Sequence, residues 1–140
     1  MPDRKRVLIL CTGNSARSQM AEGLLRHEAG DRFDVWSAGT HPTQVRPEAI
    51  AVMHELGIDI AGQRSKSVEE FSGQRFDYVI TVCDHAKESC PIFPATTKRL
   101  HWSLEDPAGV QGSKGQRLAE FRRIRDQLRT HLRQLAQEPR

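Results

Sequence analysis

The chain lacks the features that most often betray a protein's role. It has 3 cysteines in 140 residues. That is an odd number and too few for the disulfide framework of a small secreted domain, so each thiol is left inert, metal-binding or redox-active. No apolar stretch approaches the roughly 20 residues that span a bilayer. The basic start, Met1-Pro2-Asp3-Arg4-Lys5-Arg6, leads into an apolar run too short for a secretory signal and broken by Cys11-Thr12-Gly13-Asn14. A cytoplasmic protein without membrane contact is expected. Charge of one sign is missing too: the net charge is +3, with acidic residues interspersed along the chain. That modest basic bias suits a small anion better than a nucleic acid. Repeats, low-complexity tracts and linkers are absent, so residues 1–140 read as one domain. Nothing in them demands an oligomer, and a monomer is expected.

What is present is an alternation of strand and helix patterns. Residues 5–10 read as a fully buried strand, 33–38 as an alternating one ended by Gly39, 77–82 as a third and 99–102 as a fourth. Residues 18–29 carry a helical stripe of Met20, Ala21, Leu24 and Leu25. Pro47 fits the first position of a helix to about Leu56, with Ile50, Met53, His54 and Leu56 facing inward and Gly57 as its stop. A short helix is expected at 68–71. The last helix, 116–136, has Leu118, Phe121, Ile124, Leu128, Leu132 and Leu135 on one face and arginines on the other; Glu120, Asp126 and the apolar stripe make it a packed helix rather than a nucleic-acid reader. Strands alternating with helices predict an α/β domain: a three-layer sandwich around a four-stranded parallel sheet. Ligands of such sheets bind at the carboxyl ends of the strands. Cys11 ends the first strand and Cys83 follows the third, so both thiols belong to one sheet edge.

The segment after the first strand carries the chemistry. Cys11 is followed by Thr12, Gly13, Asn14, Ser15 and Ala16, then Arg17 and Ser18 at the mouth of a helix. A loop of small residues there turns several backbone N–H groups toward one point, and the helix start adds partial positive charge. Gly13 relieves crowding, and Asn14 tolerates a left-handed backbone. Arg17 offers a planar fork for two oxygens of a tetrahedral anion. The same field is expected to lower the Cys11 pKa and make it a thiolate nucleophile, with Ser18 donating a hydrogen bond to it. A cysteine and an arginine six places apart mean little by themselves. The strand before and the helix after give the spacing its weight.

This loop, Cys11-Thr-Gly-Asn-Ser-Ala-Arg17-Ser18-Gln-Met-Ala-Glu22, resembles the phosphate-binding loop of the low-molecular-weight protein tyrosine phosphatases, and more closely that of the arsenate reductases built on the same flavodoxin-type fold. Ser37-Ala38-Gly39 and Asp106-Pro107 fit as well, and the likeness covers roughly residues 5–135. It implies Cys11 as nucleophile, Arg17 and the amides of Thr12 to Ser18 as the oxyanion clamp, and Asp106 as general acid. Read alone, Asp106-Pro107 would be a turn starter. Phosphate or sulfate would act as substrate analogues.

The stretch Thr81-Val82-Cys83-Asp84-His85-Ala86-Lys87-Glu88-Ser89-Cys90-Pro91 separates the two activities. A phosphatase needs one thiol, whereas a reductase must supply two electrons, which a thiol pair does by becoming a disulfide. Cys83 and Cys90 resemble the second and third cysteines of the thioredoxin-coupled arsenate reductases. The likeness implies that a Cys11–Cys83 disulfide gives way to Cys83–Cys90, which thioredoxin reduces. Disulfides need Cα atoms within about 7 Å, so residues 83–91 are expected to move during the cycle. The alternative is a phosphatase hydrolysing aryl phosphates through a Cys11 phosphoenzyme, but such enzymes carry tyrosines after their Asp-Pro, where this chain has Ala108-Gly109, and its one tyrosine is Tyr78. A redox sensor using Cys83 and Cys90 would not need Arg17 or Asp106. A zinc set of Cys11, Cys83, His85 and Cys90 fits no paired-cysteine spacing, so no metal is assigned, and none of the six histidines is given a catalytic role. Some relatives hold potassium with Asn, Glu, Ser and Asp. Asn14, Glu22 and Ser37 match three of these, but Lys66 stands at the fourth, either as a built-in cation paired with Glu22 or as a solvated lysine.

Overall fold

The computed structural model describes residues 4–83 and 97–137. Strand β1 (Lys5–Cys11) leads to helix α1 (Arg17–Ala29), then to β2 (Phe33–Gly39) and helix α2 (Pro47–His54). A 3-10 turn at Val68–Phe71 precedes β3 (Tyr78–Thr81). After β4 (Lys98–His101) come a 3-10 turn at Pro107–Gly109 and the long helix α3 (Lys114–Ala136). The four strands pair in parallel in the order β2-β1-β3-β4, the α/β arrangement expected. Position follows composition. β1 lies between β2 and β3, and its unbroken Val7-Leu8-Ile9-Leu10 run is wholly buried, as a strand covered on both faces requires. β4 pairs with β3 alone and exposes Lys98 and Arg99.

Helix α1 packs on β1 and β2, and α3 packs on α1 and α2. Met20, Ala21, Leu24 and Leu25 form the expected stripe, and Ser18, Gln19, Glu22 and Gly23 are buried beside it. Gly23 permits a close approach: a Cβ there would fall 2.6 Å from Ile60 Cγ2. Trp36 faces away from Val35 and Ser37. It meets Phe76 edge-on, as Phe76 meets Phe71, and Arg6 lies over both Trp36 and Phe76.

Two readings of the helices are corrected. Helix α2 ends at His54 and buries Ala49, Val52 and Met53. His54 is exposed, and Ile50 and Leu56 are only partly covered. The chain tightens before Gly57, whose φ is 76°, with Leu56 N–H on Met53 O and Gly57 N–H on His54 O, so the inward face drifts off the positions read from a longer helix. Helix α3 starts two residues earlier than expected because Ser113 and Gln116 close a capping box. One of its arginines is also on the buried face. Arg125 is 6% exposed and donates to Val52 O (2.8 Å), Glu55 Oε1 (2.9 Å) and Asp126 Oδ1 (2.9 Å).

Glu55 joins α2 to α3. Arg122 grips its carboxylate with two bonds of 2.8 and 2.7 Å, and Arg125 adds a third. The Arg122 hydrogen bonds, helped by Arg125, hold the Glu55 carboxyl at about 2, well below its ordinary value. A carboxylate more acidic folded than unfolded stabilises the fold fully above the unfolded pKa and loses that contribution as the pH falls through the folded one. Glu55 is substantially exposed, so the effect is modest. Glu55→Gln should lower the melting temperature by about 2–4 °C at neutral pH. Thermal melts should show the gap to wild type closing between the ordinary glutamate range and pH 2.

Candidate active site

The carboxyl ends of β1, β2 and β3 meet at one edge. β1 delivers Cys11, 2% exposed, and α1 begins at Arg17, so residues 12–16 make the turn between them. The carbonyls of this turn are all tied outside it. Thr40 N–H donates to Cys11 O (3.2 Å), His41 to Thr12 O (2.8 Å), Thr43 to Gly13 O (3.0 Å) and Arg46 to Ser15 O (2.9 Å). Asn14 O accepts from Gln19 Nε2 (3.0 Å) and Ser65 Oγ (2.7 Å). In a trans peptide the N–H points opposite to the C=O. Carbonyls turned outward therefore turn the amides of residues 12 to 16 toward the hollow, which makes an anion cradle. Residues 40–46 can lie this close because position 39 is glycine: a Cβ there would fall 2.5 Å from Thr12 O and 2.9 Å from Asn14 N.

Asn14 takes the left-handed conformation expected of it, with φ 48°. Its side-chain Nδ2 donates to both Ser18 Oγ (2.7 Å) and Ser37 Oγ (3.0 Å). Each serine is thereby an acceptor, so its proton points elsewhere. Ser37 donates to Glu22 Oε1 (2.6 Å), and Ser18, 2.7 Å from Cys11 Sγ, donates to the sulfur. Asn14 N–H reaches the same sulfur at 3.2 Å. The Ser18 N–H is a third donor. These donors favour the thiolate, yet the expected depression of the Cys11 pKa is not found. Burial pushes the thiol above its ordinary value and outweighs the two Ser18 hydrogen bonds, from its hydroxyl and its N–H, and the Arg17 charge, with Cys83 adding to the upward push.

Arg17 is largely covered. Its NH1 donates to Leu104 O (2.9 Å), and its NH2 lies 3.8 Å from Asp106 Oδ2. Asp106 is both turn starter and neighbour of the loop, because its Oδ1 accepts from Ala108 N–H (3.0 Å) while its other oxygen faces Arg17. Val82 N–H donates to Leu10 O (2.9 Å) and extends the β1–β3 ladder by one residue. Cys83 consequently comes level with Thr12, and Thr12 Oγ1 lies 3.3 Å from Cys83 Sγ. Cys11 and Cys83 are both buried. Cys90 and His85, and the movement expected of 83–91 beyond Cys83, lie outside the described residues.

Lys66 is not a solvated lysine. Its side chain is 12% exposed, and its Nζ lies 3.8 Å from Glu22 Oε1 and 3.1 Å from Arg64 O. Burial lowers its pKa, and the Glu22 charge opposes that. Arg26 takes the other Glu22 oxygen at 2.9 Å, and Asn14 Oδ1 accepts from Lys66 N–H. The oxygens that would face a potassium ion already face N–H donors and an ammonium, so these residues do not fit one. Gln19, Ser65 and the carbonyl of Leu104 were not singled out by the sequence. A glutamine between Ser18 and Met20 on an otherwise apolar helix face was the available signal for the first.

The profile of the low molecular weight phosphotyrosine protein phosphatases matches residues 6–139. An arsenate reductase of Halalkalibacterium halodurans is 42% identical over 96% of this chain and 97% of its own. Among solved structures, an arsenate reductase in the oxidized state superposes with a TM-score of 0.82 at 36% identity, over 94% of this chain and 96% of its own. A thioredoxin-dependent arsenate reductase of Corynebacterium glutamicum superposes with a TM-score of 0.75 at 29% identity, over 96% of this chain and 61% of the other.

Replacing Ser18 with alanine removes the hydroxyl donor to Cys11. A hydrogen bond to a charged group contributes about 1.5–3 kcal/mol, so the midpoint of Cys11 alkylation should rise by about one pH unit or more. Mass spectrometry of iodoacetamide labelling against pH measures this. An unmoved midpoint would mean that Ser18 does not donate to the sulfur.

Proposed function

The chain belongs to the low molecular weight phosphotyrosine protein phosphatase family, and from that premise we propose that it reduces arsenate to arsenite, with Cys11, Cys83 and Cys90 as a thiol relay and thioredoxin as electron donor. The observation that carries this reading is the second thiol: Cys83 sits against Thr12 of the nucleophile's own loop, where a hydrolase would have no use for it. The arsenate reductases among the relatives support it, and the thioredoxin-dependent one supports the choice of donor.

Arsenate enters the cradle of inward amides, and Arg17 supplies the charged fork at its rim. Cys11 Sγ attacks arsenic. The thiol proton and one arsenate oxygen with its own proton leave together as water, Asp106 carrying the proton to the departing oxygen. A raised Cys11 pKa fits this order, since the proton is consumed in the same step. Cys83 then attacks Cys11 Sγ. The new S–S bond forms as the S–As bond breaks, and the bonding pair stays on arsenic, which leaves as arsenite. Cys90 attacks Cys83, regenerates the Cys11 thiol and leaves a Cys83–Cys90 disulfide. A thioredoxin dithiol takes over that disulfide and restores the enzyme. Strand spacing supports the second step: neighbouring positions offset by one residue lie about 6 Å apart, within disulfide reach.

The setting belongs to the proposal as well. No helix among the described residues is long and apolar enough to cross a membrane. We assign the reaction to the cytoplasm, where thioredoxin is kept reduced, and to a monomer of one domain. Lys66 takes the part of a structural cation beside Glu22.

Wild-type protein given arsenate, thioredoxin, thioredoxin reductase and NADPH should consume NADPH continuously. Cys90→Ser should stop after at most one turnover with Cys11 joined to Cys83, while hydrolysis of an aryl phosphate stays slow. Equal turnover in wild type and Cys90→Ser would sink the relay, and fast phosphate hydrolysis without thiols would favour the phosphatase. Exchanging sodium for potassium should leave the reduction rate and melting temperature unchanged. A strong potassium response would overturn the role given to Lys66.

A further inference from the structure

The loop's five outward carbonyls are not held alike. Main-chain amides of residues 40, 41, 43 and 46 hold those of Cys11, Thr12, Gly13 and Ser15. The Asn14 carbonyl is taken by two side chains from different places in the sequence, Gln19 Nε2 on α1 and Ser65 Oγ in the segment before the first 3-10 turn. Both are themselves braced. Gln19 is wholly buried. Its Nε2 also donates to Arg64 O (2.9 Å), and its Oε1 accepts from Gln63 Nε2 (2.7 Å). The segment carrying Ser65 is anchored by Gly39 N–H on Lys66 O (2.8 Å) and by Lys66 N–H on Asn14 Oδ1 (2.9 Å).

The Asn14–Ser15 peptide is thus the loop unit whose orientation depends on removable groups. With its carbonyl held outward, the Ser15 N–H points into the hollow. Without that hold the peptide plane can rotate, and a carbonyl oxygen would face the bound anion. The groups that touch the sulfur lie on other units: the Asn14 amide belongs to the preceding peptide, whose carbonyl Thr43 holds, and the Ser18 hydroxyl belongs to α1.

We propose that Ser65 and Gln19 are positioning residues of the oxyanion cradle: by holding the Asn14 carbonyl outward they aim the Ser15 amide at the substrate. This rests on the reading of residues 11–18 as the oxyanion site. It separates two properties of one loop, because anion affinity depends on Ser65 and Gln19 whereas thiol ionisation depends on Ser18 and the Asn14 amide.

The test uses the full chain and inorganic phosphate. Phosphate should protect wild-type Cys11 from iodoacetamide in a saturable way. In Ser65→Ala the phosphate concentration giving half protection, and the KM for arsenate, should each rise about fivefold, the loss expected for one hydrogen bond. Its kcat should stay within about twofold and its alkylation midpoint should not move. Ser65→Thr, which keeps the hydroxyl, should restore wild-type affinity, and Gln19→Met should repeat the affinity loss. If phosphate protects wild type and Ser65→Ala equally, or if the loss appears in kcat with KM unchanged, the inference is overturned while the site reading stands. If Ser65→Thr fails to restore affinity, the loss belongs to packing and the inference is again overturned. If phosphate fails to protect even the wild type, the oxyanion site itself is overturned and the inference with it.

Discussion

Asn14 is the residue on which the site depends. It is the one non-glycine residue with positive φ among the described residues, a conformation that costs roughly 1–2 kcal/mol. Six hydrogen bonds hold it there: its N–H to Cys11 Sγ, its Nδ2 to Ser18 and Ser37, its Oδ1 from Lys66 N–H, and its carbonyl from Gln19 and Ser65. These partners come from β1, α1, β2 and the segment before the first 3-10 turn. The strained turn is therefore maintained by the tertiary fold rather than by local sequence. It orders the loop amides and, by occupying Ser18 and Ser37 as acceptors, sets the direction of both hydroxyl protons.

Charge is distributed along the same chain of contacts. Glu22 is buried with Ser37, Lys66 and Arg26 around it. A buried carboxylate without such partners would be expensive. At the other end, Cys11 has three donors and a nearby guanidinium, yet burial dominates and the thiol is held above its ordinary pKa. An anion cradle and an acidic thiol are separable properties. Inward amides attract an anion in the hollow, while the sulfur behind them is charged only to the extent that its own donors offset the loss of water.

The parallel sheet brings the two buried thiols to one edge. Because β1 and β3 are neighbours, the residues following them share one edge, and a thiol 72 positions along the chain comes beside the Cys11 loop. In the proposed relay, this is where the first thiol needs an electron source. Arg17 is tied to the turn containing Asp106 through Leu104 O, so the guanidinium and the Asp106 carboxylate are positioned together.

Much of this was legible in the amino-acid order. The Val7–Leu10 run marked the central strand, the Met20–Leu25 stripe marked α1, and the small residues between Cys11 and Arg17 marked the turn, since each depends on local periodicity or backbone freedom. The capping box at Ser113 and Gln116 is equally local, and it sets the start of α3 at Lys114. Arg125 and His54 exchanged their expected environments because helix ends and helix–helix pairings are settled by contacts between segments far apart in sequence. The same reason hid Gln19 and Ser65, whose side chains matter only because Asn14 turns its carbonyl toward them. By itself the sequence determined which atoms could react: a thiol, a guanidinium, a carboxylate and a second thiol. Only the tertiary structure decided how they are tuned, because burial, strand order and the direction of each hydrogen bond are properties of neighbours that the chain brings together only when folded.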